Sequence, residues 1–332
     1  MNKILCSGII VCTSLHVALA LPKHSATYYE AMKSEVQDAT RKGAKAKILY
    51  RVVDDEGTPI TNAIVYATWQ NDFPRKTWEE EFVTDTNGMF VARANVGGRF
   101  GCHVVKKGYY RSSGGVNFCW RPGVSPLVLD GKWQPYGEEK TLIVKRKKNP
   151  IDMPMLLHTT IQVPVTNVWL GLDMESFKWV KPYGEGKHAD MLLRFNSESE
   201  NRYYAKWATM DVSFTNNSHA GFYILPKDVY SFMKSAYEAD TNMTFHASRT
   251  FRMGRVPSED DLLDKNLYMV FRTRTKLDDE GKLVSAHYGK IYGPWSIWKN
   301  TSAQMIFFNA IPNNTNLEDV HTYNESELLE GR

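Results

Sequence analysis

Cysteine is scarce in this chain: four residues in 332, at positions 6, 12, 102 and 119. That excludes a disulfide-stapled miniature domain and a cysteine-rich zinc framework. Beyond the first twenty residues no stretch approaches the ~20 apolar residues that a membrane-spanning helix needs. Charge of one sign is missing as well. The 41 Lys and Arg face 37 Asp and Glu, too even a balance to argue for a nucleic-acid partner. Catalytic signatures are absent: there is no G-x-S-x-G elbow, no H-E-x-x-H, no C-x-x-C and no glycine-rich loop ending in Gly-Lys-Ser/Thr. The nine histidines stand singly, without an H-x-H or H-x-x-x-H pair, so neither a metal nor another cofactor is expected.

What is present begins with a leader. Lys3 supplies a positive start, "ILCSGIIVCTSLHVAL" an apolar stretch, and Ala18-Leu19-Ala20 a small-x-small cleavage pattern. We read residues 1–20 as a secretory signal peptide and expect an exported protein of the bacterial periplasm, cell surface or medium. Removing the leader takes Cys6 and Cys12 with it. A lone remaining pair in an exported protein suggests a disulfide between Cys102 and Cys119; two buried thiols are the alternative.

Residues 21–44 carry one helical stretch, "SATYYEAMKSEVQDATRK", capped by Ser25 and ended by Gly43. From residue 45 the period shortens. "KILYRVV", "AIVYATW", "EEFVTD", "MFVARANV", "FGCHVVKK" and "GVNFCW" are short β-rich runs separated by turn residues, the spacing of an all-β sandwich. A D-x-x-G turn at Asp54–Gly57 is followed by Pro59-Ile60, then Asn62-Ala63-x-Val65, Thr84-Asp85-x-x-Gly88-x-Phe90 and Lys107-Gly108-Tyr109. This succession resembles the carboxypeptidase regulatory-like, or transthyretin-like, β-sandwich family over residues 45–148. The resemblance implies a sandwich that accompanies other domains without doing chemistry itself.

"KRKKNPIDMP" marks a boundary, and residues 149–332 form a second, larger β-rich domain of open function. "LYMVFRTRTKL", "KLVSAHYGKIYG" and "AQMIFFNAI" read as strands there, and "PKDVYSFMKSAYEAD" as a short helix starting near Pro226. A second helix start is marked by Ser258 and Asp260-Asp261. The phrases "MESFKWVKPYGEGKHADMLLRF" and "VFRTRTKLDDEGKLVSAHYGKIYG" resemble the C-terminal region of exported bacterial proteins of no assigned activity that also carry a transthyretin-like domain. The fold class is therefore mostly β: a transthyretin/Ig-like sandwich, then a larger β-rich domain with one or two short helices. The tetrapeptide DDEG recurs at Asp278–Gly281. There it sits between two alternating segments, and we read it as a hairpin turn.

Aromatics offer the best binding argument. Phe73 and Trp78 fall in an expected loop, "NDFPRKTWEEE", and Tyr292, Trp295 and Trp298 in "IYGPWSIWK". Rings beside polar groups suit the stacking of sugar rings, although rings of this kind also fill cores. No acidic pair stands out as catalytic, but a carboxylate pair assembled in space is invisible in sequence. The reading leans away from an enzyme and towards an exported binding or structural protein, with polysaccharide as ligand or another surface protein as partner. The alternatives are a polysaccharide-acting hydrolase with its carboxylates in the C-terminal domain, and a protein-interaction module.

Overall fold

The computed structural model describes residues 26–119, 126–157, 160–197, 207–214, 219–228, 231–254, 266–297 and 300–320. The chain is mostly β, with one helix, α1 (Ala26–Lys42), among those residues. Gly43 closes α1 at φ +84°, donating its N–H to the Ala39 carbonyl, as a left-handed C-terminal cap requires. Among the described residues no helix is long and apolar enough to cross a membrane.

Nine strands follow: β1 (Ala44–Asp54), β2 (Ile64–Asp72), β3 (Arg75–Val83), β4 (Met89–Val96), β5 (Arg99–Val105), β6 (Ser112–Asn117), β7 (Val128–Leu129), β8 (Lys132–Trp133) and β9 (Glu139–Val144). β1 is central in one sheet, antiparallel to β4 and parallel to β9. β3, β2, β5 and β6 form the other sheet, antiparallel throughout. Period-two alternation turns Ala46, Ile48, Tyr50 and Val52 of β1 towards Val65, Ala67 and Trp69 of β2, and one buried core joins the sheets into a sandwich.

The turn residues of the sequence motif have local work to do. The buried Thr84 hydroxyl donates to the Ile60 carbonyl and accepts from the Ala63 N–H. Asp85 accepts the N–H groups of Asn87 and Met89. Gly88 has φ +71°, and a Cβ there would lie 2.4 Å from the Val52 carbonyl oxygen, so only glycine fits. The two DDEG turns share one hydrogen-bond pattern. Asp54 N–H donates to Thr58 and Gly57 N–H back to Asp54; Asp278 N–H donates to Lys282 and Gly281 N–H back to Asp278.

The second half adds eleven strands: β10 (Met155–Leu157), β11 (Thr160–Gln162), β12 (Leu170–Asp173), β13 (Lys178–Trp179), β14 (Met191–Ser197), β15 (Trp207–Ser213), β16 (Gly221–Pro226), β17 (Ser248–Gly254), β18 (Leu267–Leu277), β19 (Leu283–Ile297) and β20 (Asn300–Asn309). β13-β12-β14-β15-β17 form one sheet. β10 and β11 pair with β20 at the edge of the other, which runs β20-β19-β18-β16. Leu172, Leu193 and Val212 of the first meet Met269, Phe271, Ile291 and Phe308 of the second in one core. The β16–β20 sheet is covered on its other face too. Tyr268, Val270, Tyr288, Tyr292 and Phe307 point there and pack against Met153, Ala239 and Leu317.

That second cover replaces an expected helix. No helix forms over 231–240; the 226–240 stretch begins with the end of β16, and 231–240 runs irregularly. Its backbone hydrogen bonds are committed elsewhere. Phe232 N–H donates to Arg111, Ala239 N–H to Thr315, and the Tyr237 carbonyl accepts from Leu317. Side-chain spacing favoured a helix, but tertiary partners for the backbone override a weak propensity. The expected helix start at Ser258 lies outside the described residues.

Covering both faces of one sheet buries Lys290 completely. Its Nζ donates to the Leu317 carbonyl at 2.5 Å and lies 3.4 Å from Ser235 Oγ. Burial pushes the amine down from its ordinary value to about 7, against the pull of Asp319 and Glu318. The folded protein therefore holds fewer protons than the unfolded chain from pH 7 upward, so this group makes stability rise with pH towards about 10, the unfolded lysine value. Urea unfolding from pH 7 to 10 should show Lys290→Met losing a slope of up to about 1.4 kcal/mol per pH unit that the native chain has. Equal slopes in both proteins would refute the burial account.

Candidate functional site

Of the aromatic residues singled out in the sequence, the four among the described residues are not brought together into one exposed site. Trp78 is not on a loop: β2 and β3 pair from Ile64↔Val83 to Asp72↔Arg75, which puts Trp78 opposite Trp69 on a strand. It is half-buried at the margin of the first core, its ring stacked on Trp69 at 6.4 Å. Phe73 occupies the turn of that hairpin and is 65% exposed. Tyr292 and Trp295 are interior residues. Tyr292 donates its hydroxyl to Ser235, and Trp295 packs near Phe251 between the sheets of the second sandwich. Neither ring faces solvent, so neither stacks on a ligand. Trp298 lies outside the described residues.

Cys102 and Cys119, the cysteines among the described residues, are free thiols. Cys119 Sγ lies 3.2 Å from the Gly97 carbonyl oxygen and 3.6 Å from the Thr40 hydroxyl. Cys102 lies five residues beyond Gly97, which on an extended strand is roughly 16 Å away. A disulfide needs α-carbons within about 7 Å, so the expected bridge does not fit this arrangement. Burial pushes the Cys102 thiol up to about 12.

Trp169, just before β12, was not singled out in the sequence. It is 42% exposed. Leu170 and Leu193 face each other inward, so Trp169 and Arg194 meet on the outer face of the sheet. The Arg194 guanidinium stands 4.8 Å from the Trp169 ring centroid. Its Nε donates to Asp211 Oδ2 at 2.9 Å, and Thr250 Oγ1 donates to Asp211 Oδ1 at 2.6 Å. Asn196 Nδ2 reaches Thr209 Oγ1 at 3.2 Å. Burial alone would raise Asp211, but the hydrogen bonds from Thr250 and Arg194 and the Arg194 charge outweigh it and hold its carboxyl below the usual range. The result is an indole with a polar row across β14, β15 and β17, each group positioned by a neighbour.

A second arrangement closes one end of the same sandwich. Arg274 has a left-handed backbone, φ +49°, where β18 shifts register against β19 between Thr273 and Lys276. Such bulges re-aim side chains. Arg274 Nε and Nη2 donate to the two oxygens of Asp190 at 2.8 and 2.9 Å, Nη2 to Asp173 at 3.1 Å and Nη1 to Glu175 at 2.6 Å. Asp173 also accepts the N–H groups of Glu175 and Lys187. Against the effect of burial, these bonds keep its carboxyl below the usual range. A general acid needs the opposite shift. Among the described residues no group of three or more His, Cys, Asp or Glu side chains is placed to hold a metal ion.

No protein-family model matches the chain, and no curated protein matches it. Among solved structures, a 3-chlorocatechol 1,2-dioxygenase from Rhodococcus opacus aligns over 32% of this chain and 61% of its own, at 14% identity and a TM-score of 0.25. A catechol 1,2-dioxygenase variant from Acinetobacter radioresistens aligns over 32% of this chain and 54% of its own, at 16% identity and a TM-score of 0.25. A Bacteroides uniformis protein with a provisional carbohydrate-binding description aligns over 81% of this chain and 100% of its own, at 9% identity and a TM-score of 0.19. Likenesses this slight carry neither fold nor activity over to the chain.

The two tryptophans separate packing from surface chemistry. Trp295→Ala should lower stability by about 3–5 kcal/mol, the cost of a large core deletion. Trp169→Ala should cost less than about 1 kcal/mol. Equilibrium urea unfolding of the two variants decides, and equal losses would contradict the placement of Trp169 at the surface.

Proposed function

We propose that the protein is an exported, non-enzymatic binding module that holds carbohydrate on the outer face of the β12–β17 sheet. One observation carries this: the exposed Trp169 ring beside the fixed Arg194–Asp211–Thr250 row. A sugar presents an apolar C–H face and a rim of hydroxyls that both donate and accept. An indole offers the first a flat, rigid partner at little entropic cost. Guanidinium, carboxylate and hydroxyl groups already oriented by one another offer the second a preorganised set of hydrogen bonds. The leader and the transthyretin-like resemblance support export and an accessory role. The carboxylates that converge in the second sandwich are committed to Arg274, which speaks for binding over hydrolysis.

A glycan array followed by calorimetry on the chain lacking residues 1–20 tests the reading. Binding to at least one neutral oligosaccharide is expected, weakened about tenfold or more in Trp169→Ala, with the circular dichroism spectrum unchanged. The proposal fails if no glycan binds, or if Trp169→Ala binds as well as the native protein.

A further inference from the structure

We propose that the cleft at the Arg274 end of the second sandwich is a separate site for an acidic sugar, its carboxylate held by Lys187 and Lys276. The cleft has a volume of about 530 Å³ and is lined by Lys187, His188, Asp190, Arg274, Lys276 and His287, with Ser285 beside them. That volume suits one or two sugar rings. Its charge is unbalanced towards the ligand. Asp190 is the one acid in the lining, and both its oxygens are taken, by Arg274 and by the Met174 N–H. Asp173 and Glu175 are ion-paired to the same guanidinium. The Lys187 and Lys276 side chains are exposed, and among the described residues no acid is bonded to either ammonium group.

The rest of the lining selects for hydroxyls. His287 stacks on Phe308 with ring centroids 5.6 Å apart, and its Nδ1 lies 3.3 Å from the Asn309 carbonyl oxygen. Burial, with the nearby Arg274 charge, holds the imidazole below its usual pKa, so the neutral ring donates from Nδ1 and leaves Nε2 to accept. An acceptor there repels a bare oxyanion and receives a hydroxyl. Ser285 can both donate and accept. A carboxylate for the lysines and hydroxyls for His287 and Ser285 describe a uronic acid. The Arg274 bulge holds the floor of this cleft in a backbone conformation that non-glycine residues seldom adopt, and strain of that kind clusters at ligand sites.

Calorimetric titration of the leaderless chain with D-glucuronate, D-glucose and inorganic phosphate provides the test. Glucuronate should bind in the millimolar range, glucose at least about tenfold more weakly, since exposed charge pairs contribute modestly. Raising salt from about 50 to about 500 mM should weaken glucuronate severalfold. The Lys187→Ala/Lys276→Ala variant should lose about tenfold in affinity with its urea midpoint unchanged, because the Lys187 N–H that Asp173 accepts is backbone. Lys276→Gln alone, which leaves the Lys187 loop intact, should lose about half of that free energy. In the Trp169→Ala background, which removes the sheet-face site, glucuronate binding should keep its dependence on salt and on Lys187 and Lys276, which keeps this site distinguishable from the sheet face. Glucose binding as well as glucuronate, or lysine variants that bind normally, would overturn the assignment. So would phosphate binding as tightly as glucuronate, which would mean an adventitious ion only.

Discussion

The second half of the molecule is organised by a short strap, residues 314–320, whose acids are consumed by backbone. Glu318 accepts the N–H groups of Lys148 and Asn149 and the hydroxyl of Tyr110. Asp319 accepts Met153 N–H, and the Leu317 carbonyl accepts the buried Lys290. Three parts of the fold meet in these contacts: the first sandwich at Tyr110, the connecting segment at 148–153, and the doubly covered sheet at Lys290. A carboxylate that accepts two backbone N–H groups and a hydroxyl is costly to replace, because one side chain makes all three bonds. The strap therefore fixes the path of the connecting segment and seals the outer side of the β16–β20 sheet.

Sealing that sheet on both sides explains its odd composition. β18, β19 and β20 alternate aromatic and aliphatic residues towards both cores. Among the buried polar residues on them, Lys290 and Asn309 are bonded to strap or turn carbonyls, and Arg272 and Thr273 donate to the carbonyls of His219 and Asp190. Where β19 is buried on both faces, at Tyr292 and Trp295, it has no solvent side on which to show a binding residue. That is why Tyr292 and Trp295, read as exposed platforms from their neighbours in sequence, are structural. Their setting "IYGPWSIWK" has the glycine, proline and aromatic content of a loop, but long-range pairing to β18 and β20 decides the matter.

Legibility followed the range of the interactions. The first helix with its Gly43 cap and the DDEG turns rest on bonds a few residues apart, and the residues themselves announce them. The alternating strands of the first sandwich were equally readable, because period two shows which side is buried. The stretch 231–240 misled because its side chains have helical spacing while its backbone partners, Arg111 and Thr315, are remote. Trp78 misled because hairpin pairing runs right up to Phe73, leaving no loop. Trp169 and Arg274 were invisible for a related reason. An exposed tryptophan and one arginine among many gain meaning only from Arg194, Asp211, Asp173 and Asp190, which register and a bulge bring to them.

The same bulge bears on what kind of chemistry the second sandwich supports. A hydrolase of the two-carboxylate kind needs one acid that keeps its proton and one that does not, and both must face the substrate. Asp173 and Asp190 converge on the Arg274 guanidinium, and the backbone N–H groups of Lys187 and Glu175 hold the Asp173 carboxyl below the usual range against the effect of burial. Moving a proton onto Asp173 would work against those backbone hydrogen bonds. The arrangement is thus rigid where catalysis would need exchange. Side chains already positioned by one another around an open cleft are what recognition of a charged, hydroxylated ligand asks of a site, since little ordering remains to be done on binding.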